Sequence, residues 1–262
     1  MLLQKNALRA DYATKSHTRG LDKPNEDRLL VDGERGIFIV LDGVTRVHSE
    51  YEKAPQSSAA GEVGDIFLKE VYAYICEHLF DPSPRLILEN AVRLANSKFK
   101  EYRKIKSKDE WVFYPYKLGI ISILRGKTLH YLSVGDCIGI LLRYNSKIIF
   151  GRELALEAVD LCNVSKNERY DIYCNHPENH LSYTVYNGDE VVMDGVEYSF
   201  VDVHDGDIVI LATDGIADYL KFEKVRDLIL QSPEEMISNS GRYDAPPYAE
   251  YADDKTLIKL SF

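Results

Sequence analysis

The chain has 262 residues, 45% of them hydrophobic and 28% charged, an ordinary globular composition with enough length for a full core. Its 32 Lys and Arg stand against 42 Asp and Glu, a formal net charge of -10 that disfavours extended nucleic-acid binding. No apolar stretch approaches the roughly 20 residues that span a bilayer, and Met1-Leu2-Leu3-Gln4-Lys5 lacks the apolar region of a signal peptide, so a cytoplasmic monomer without membrane contact is expected.

Residues 28–31 and 36–41 are predicted strands joined by a turn at Asp32-Gly33-Glu34. From 57 to 79, Ala59, Ala60, Val63, Ile66, Phe67, Val71 and Ile75 recur at helical spacing. Beyond Pro82 a second helix is predicted over 84–105, carried by Leu86, Leu88, Ala91, Leu94, Ala95 and Phe99. Strands follow at 118–124, 128–134 and 138–144, with turns at Arg125-Gly126-Lys127 and Asn145-Ser146. The polar stretch 152–182 reads as a surface excursion. Strands resume at 190–193, 197–201 and 207–213, an amphipathic helix spans 221–230, and 255–260 closes as a strand.

No repeat, low-complexity tract or linker divides this order, so residues 1–262 are expected to form a single domain. Strands, two long helices, strands, one helix and a last strand imply antiparallel sheets covered by helices, not alternating βαβ units. Cys76, Cys137, Cys162 and Cys174 share no CxxC spacing, so neither a zinc site nor a redox motif is indicated; Cys76 and Cys137 are expected as buried thiols.

Short acidic segments punctuate this framework: Asn25-Glu26-Asp27, Leu41-Asp42-Gly43, Val134-Gly135-Asp136, Thr213-Asp214-Gly215 and Asp253-Asp254-Lys255-Thr256. Most are expected where an apolar run hands over to a loop, a place from which a carboxylate can point into a cleft. Asp-Gly is also among the commonest turn dipeptides, and in isolation Asp42-Gly43 reads as a turn. Apolar strand followed by Asp-Gly then occurs a second time, at Asp214, which two independent turns would not require. Gly135-Asp136 reads nearly as well as a hairpin turn, and Asp205 and Asp207 are expected as solvated turn residues. Hard carboxylate ligands suit magnesium or manganese, whereas zinc prefers nitrogen and sulfur.

Taken together, Lys23-Pro24-Asn25-Glu26-Asp27, Val40-Leu41-Asp42-Gly43, Ser133-Val134-Gly135-Asp136, Leu211-Ala212-Thr213-Asp214-Gly215 with Asp218, and Asp253-Asp254-Lys255-Thr256 resemble, in order and at compatible spacing, the metal-dependent protein phosphatases of the 2C type, the PPM family. The resemblance implies an α+β fold in the bacterial-like single-domain form: a four-layer α-β-β-α sandwich with two central, mostly antiparallel sheets. It implies two Mg2+ or Mn2+ ions, with Asp42 bridging them, Gly43 giving its carbonyl oxygen, and Asp214 and Asp253 completing the direct ligands. Asp42, Asp214 and Asp253 would thus be the catalytic residues. Glu26 and Asp27 would hold metal-bound waters, Asp136 with Asp214 a third, weaker ion, and Asp218 an outer position. The implied activity is hydrolysis of phosphoserine and phosphothreonine in a phosphorylated protein by a hydroxide bridging the two metals, without a phosphoenzyme.

The chain departs from that pattern where phosphate and leaving group are handled. The expected arginine before Asn25 is missing, its place falling near Leu21-Asp22; Lys23 is the nearest cation, with Arg19, Arg28 and Arg46 as stand-ins. Lys23 and Arg46 are therefore the candidates for phosphate binding, and a lysine lacks the bidentate fork of an arginine. Val44 stands where the family carries a histidine, leaving His48 or water to protonate the leaving alcohol. Leu118-Gly119-Ile120-Ile121 replaces small hydroxyl residues after the glycine. Stretch 152–182 falls where the family has a flap. Two alternatives follow: a metal-binding regulatory module of weak turnover, or a hydrolase of a small phosphorylated metabolite.

Overall fold

A computed structural model describes residues 8–16, 24–47, 59–105, 113–151, 175, 184–244 and 253–262. Its strands are β1 (Arg9–Lys15), β2 (Arg28–Asp32), β3 (Ile37–Val47), β4 (Phe113–Arg125), β5 (Thr128–Val134), β6 (Ile138–Arg143), β7 (Ser146–Phe150), β8 (Glu197–Asp202), β9 (Ile208–Ala212) and β10 (Lys255–Ser261). They form two sheets in the orders β1-β10-β9-β6-β7 and β2-β3-β4-β5-β8. Every pairing among them is antiparallel. Two long helices, α1 (Ala59–His78) and α2 (Pro84–Ile105), pack on the second sheet. Three short ones, α3 (Ala217–Phe222), α4 (Val225–Leu230) and α5 (Pro233–Asn239), cover the first. The expected α-β-β-α sandwich is therefore present.

The layering follows from the two-residue period of a strand. On β9, Val209 and Leu211 enter the core between the sheets, while Ile208, Ile210 and Ala212 face the short helices. On β10, Ile258 and Leu260 divide from Leu257 in the same way. Both faces being covered explains why these strands read as unbroken apolar runs rather than alternating ones. Each fully buried Leu or Ile adds about 1.5–3 kcal/mol of transfer free energy.

Helix ends are satisfied locally. Pro84 opens α2, and the Ser83 Oγ accepts the Leu86 N–H at 3.3 Å. Ser232 and Glu235 form a reciprocal capping box on α5. Two lysines from strands reach over to helix C-termini: Lys147 donates to the carbonyls of Leu220, Lys221 and Glu223, and Lys259 to those of Leu228, Ile229 and Gln231. Each brings a positive charge to the negative end of a helix and satisfies carbonyls that have no partner within it.

Several sequence expectations are corrected. β3 does not stop at Leu41 but runs through Asp42-Gly43 to Val47, because β4 extends beside it and keeps the ladder going. Residues 190–193 are not a strand; Glu190–Gly195 is a 3-10 turn. Asn96 on α2 holds its start, accepting the Gly188 N–H at 2.9 Å and donating to the Asp189 carbonyl at 2.8 Å. Gly188 has a φ of +93°, so the chain turns there instead of extending. The single helix expected over 221–230 is two, α3 and α4, broken at the extended Glu223 and Lys224. Leu86 and Leu94 face solvent, and Ile87 and Val92 take the buried positions on α2. Asp207 is not solvated: it is 4% exposed and paired with Arg143. β1, β7 and α5 were not expected. Cys137 is buried and Cys76 half-buried, both as free thiols; Cys162 and Cys174 lie outside the described residues.

Candidate metal centre

The acidic segments come from five separate places in the chain. Asp42 stands within β3, Asp136 in the turn from β5 to β6, and Asp214 opens a 3-10 turn directly after β9. Glu26 and Asp27 precede β2, and Asp253-Asp254 precede β10. The turn at Gly135-Asp136 connects the two sheets, and Gly135 adopts a φ of +83° with its α-carbon against Leu118. Asp42 from within β3 and loop residues beside the ends of strands in both sheets thus bring carboxylates to one place.

Carboxylate oxygens of Asp42, Asp136 and Asp214 all lie within 4.8 Å of one another. Beside them Glu26, Asp27 and Asp254 are buried, each at most 4% exposed. A ladder of hydroxyl and amide contacts fixes this layer. The Glu26 N–H donates to Asp254 Oδ2 at 2.8 Å, joining the segment before β2 to the one before β10. Thr213 Oγ1 donates to Asp27 Oδ2 at 3.0 Å and accepts the Thr256 N–H at 3.0 Å. Thr256 in turn meets Thr14 at 2.7 Å, and Asn25 donates to the same Thr14 hydroxyl at 2.7 Å. A Cβ on Gly215 would overlap the Asp254 carbonyl oxygen, so the glycine lets the loop after β9 close on the Asp253-Asp254 peptide.

Burial without enough positive charge shows in the proton affinities. Asp27 is raised to about 6, first by burial and next by the charge of Asp254, with Lys117, Thr256 and Asp42 offsetting only part. Its Oδ1 is buried and receives no hydrogen bond among the described residues. The Cys137 thiol is pushed well above its ordinary value, by burial and then by Asp42, Asp136, Asp214 and Asp27, which makes it a poor metal ligand. What remains is a set of hard oxygen donors that repel one another until a cation enters. These residues fit a divalent ion of the magnesium or manganese kind.

Of the residues expected in the site, Asp42, Asp136 and Asp214 are brought together; Asp136, expected at a weaker position, belongs to this close trio. Glu26 and Asp27 lie buried beside it. Asp253 stands outside the trio, half-buried, with its Oδ1 accepting the Asp254 N–H at 2.9 Å. Asp218, on the first turn of α3, lies 3.6 Å from the Lys221 ammonium. Arg46 falls on β3 at a point where side chains are not described, and Lys23, His48, Arg19 and all of 152–182 except Asn175 lie outside the described residues. Arg28 is committed elsewhere: it binds Asp65 at 2.5 and 3.1 Å and the carbonyls of Asn25 and Asp27 at 2.9 and 2.8 Å.

Sequence reasoning missed Lys117. It is fully buried on β4, directly across from Gly43 on β3, and its ammonium donates to the main-chain oxygen of Glu26. Burial lowers it to about 8, although Asp27 and Asp42 act to raise it. Two glycines on neighbouring elements make room for it. A Cβ on Gly43 would overlap Lys117 Nζ and the Glu26 carbonyl, and one on Gly64 of α1 would stand 2.6 Å from Lys117 Cε.

No protein-family model matches the chain, and no curated protein does either. Solved structures do. The serine/threonine phosphatase PstP/Ppp of Mycobacterium tuberculosis superposes over 97% of this chain and 98% of its own, with a TM-score of 0.64 at 20% identity. A second structure, the PstP catalytic domain in complex with two manganese ions, covers the same shares with a TM-score of 0.59 at 20% identity. A bacterial serine phosphatase covers 97% of both chains with a TM-score of 0.68 at 16% identity. Likeness over nearly the whole length establishes that the chain has the PPM phosphatase fold.

Proposed function

We propose that the chain is a metal-dependent serine/threonine phosphoprotein phosphatase. The observation that carries this reading is the Asp42-Asp136-Asp214 trio, brought together from one strand and two turns that are separate in the chain. The two manganese ions of the PstP catalytic domain support divalent occupancy here. Asp42, Asp136 and Asp214 would hold the ions, with the Gly43 carbonyl and Asp253 as further ligands. When bound, such ions acidify water and neutralise phosphoryl oxygens.

The chain's own residues do the rest. Asp27, held by Thr213, and the Glu26 main chain, held by Asp254, keep acceptors in place beside the cluster, where they would hold metal-bound water without rearranging. Thr213 and Thr256 lock the β9 and β10 strand ends to each other, which holds Asp214 and Asp253 in one register. Phosphorylated proteins are the proposed partners. Within this proposal the chain acts as one cytoplasmic domain, to which the free thiols of Cys76 and Cys137 are suited, and the 152–182 stretch selects substrate.

The test is hydrolysis of a phosphothreonine peptide and of p-nitrophenyl phosphate with manganese, by wild type and by Asp42→Asn and Asp214→Asn. Each substitution is expected to lower kcat by about a hundredfold or more, since it removes charge that steadies the transition state. Turnover of small phosphate esters with none of the peptide would move the substrate class. Unchanged turnover in both variants would overturn the site.

A further inference from the structure

Lys117 is a positive charge that the metal reading above leaves without a role. Two glycines make its path: Gly43 on β3 and Gly64 on α1 both lack the Cβ that would collide with its side chain. At the end of that slot the ammonium rests against the Glu26 carbonyl and is in electrostatic reach of Asp27, Asp42 and Glu26. Its backbone cannot move aside. Lys117 pairs with Gly43 in the ladder, and on its other edge it exchanges hydrogen bonds with Tyr186 at 2.9 and 2.8 Å. Tyr186 is itself fully buried and stacked on Phe67 of α1, ring centroids 4.7 Å apart.

A positive charge at this place acts unequally across the cluster. The ammonium lies against Gly43 and the Glu26 carbonyl and acts on Asp42, whereas Asp136 and Asp214 stand in the turns after β5 and β9. Coulomb repulsion between a monovalent and a divalent cation falls with distance and is poorly screened where both are buried. We infer that Lys117 is a built-in cation that divides the metal centre into a strong divalent position at Asp42, Asp136 and Asp214 and a weak one on the Gly43 side. Lys117 is a positioning residue in this account: it partly neutralises Glu26, Asp27 and Asp42 and leaves only the second ion labile. Activity would then follow free manganese or magnesium concentration rather than being fixed at folding. The inference rests on the metal reading in the previous section.

The experiment is a manganese titration of the full chain by calorimetry, for wild type, Lys117→Met and Lys117→Gln, with peptide turnover measured on the same samples. Wild type is expected to take one ion tightly and a second at least about tenfold more weakly. Lys117→Met keeps the length of the side chain and removes its charge; it is expected to tighten the second ion by about tenfold and leave the first within about threefold. Lys117→Gln should tighten the second ion likewise. Two ions of equal affinity in wild type, with turnover intact, would overturn this inference alone, and that result needs no variant to fold. An unchanged second constant in folded Lys117 variants would do the same. Absence of any divalent binding by wild type would overturn the metal reading and this inference with it.

Discussion

Gly43 shows how tightly one residue is specified at this site. Its α-carbon is walled by the Lys117 ammonium and the Glu26 main chain, with no space for a methyl group. The lysine tip could shift, but the Glu26 carbonyl belongs to a segment held by Asp254 and Arg28. Gly43→Ala is therefore expected to destabilise the fold by about 1–3 kcal/mol, the usual cost of overpacking, and to weaken manganese binding at the same time. Thermal unfolding with and without manganese measures both. A variant of wild-type stability and affinity would show that the slot is looser than described. Lys117 itself was illegible in the sequence, because a lysine in a strand ordinarily reads as solvent-facing; only its two facing glycines, far apart in the chain, reveal the slot.

At the scale of elements, Asp207 ties the start of β9 to the end of β6. Arg143 donates to it through Nε and Nη2, at 2.6 Å for the shortest contact, and the His204 N–H adds a bond at 2.8 Å. Burial works to raise this carboxyl, and the Arg143 and His204 hydrogen bonds outweigh it, so its folded value lies below the ordinary 3.8. A lowered carboxyl contributes stability that is complete above the unfolded value and disappears as pH falls through the folded one. Asp207→Asn is expected to cost about 1–3 kcal/mol at neutral pH, because it removes the negative charge that faces Arg143 and one of its acceptors. It should also flatten the acid limb of the stability curve. Urea unfolding at a series of pH values checks this, and parallel curves for the two proteins would refute it. The sequence offered Asp205-Gly206-Asp207 as an ordinary solvated turn, since the arginine that recruits Asp207 is 64 positions away.

For the whole molecule, the buried acids make the metal-free fold self-repelling. Manganese that binds the folded chain and not the unfolded one stabilises it by mass action, about 2.7 kcal/mol at a hundred times Kd. For a chain of this size the melting temperature should rise by about 5 °C or more. Chelation should reverse the shift, and Asp214→Asn should abolish most of it. The same rise in Asp214→Asn would mean that manganese acts elsewhere. Helix α2 and the strands β5 and β10 were legible because each is a long apolar pattern with a single good burial solution. The element order implied antiparallel sheets under helices, whereas the four-layer order came from the family resemblance. Short pieces were legible only in part. The helix expected over 221–230 covers α4 and the end of α3 but hides the break between them. Helix α5 is too brief to declare itself, and β1 and β7 are half-exposed edges whose residues carry no strict alternation.

By itself the sequence determined the sandwich and the acids, since periodicity selects helix or strand and unbroken apolar runs demand cover on both faces. It also determined that carboxylates follow apolar strands with unusual regularity. Tertiary structure alone decided which of them meet. Asp42, Asp136 and Asp214 form a trio while Asp253 stands beside it, because ladder register and strap contacts such as Glu26 to Asp254 set distances that chain spacing does not contain. It decided as well that a lysine lies among them, admitted through a gap left by two glycines on different elements.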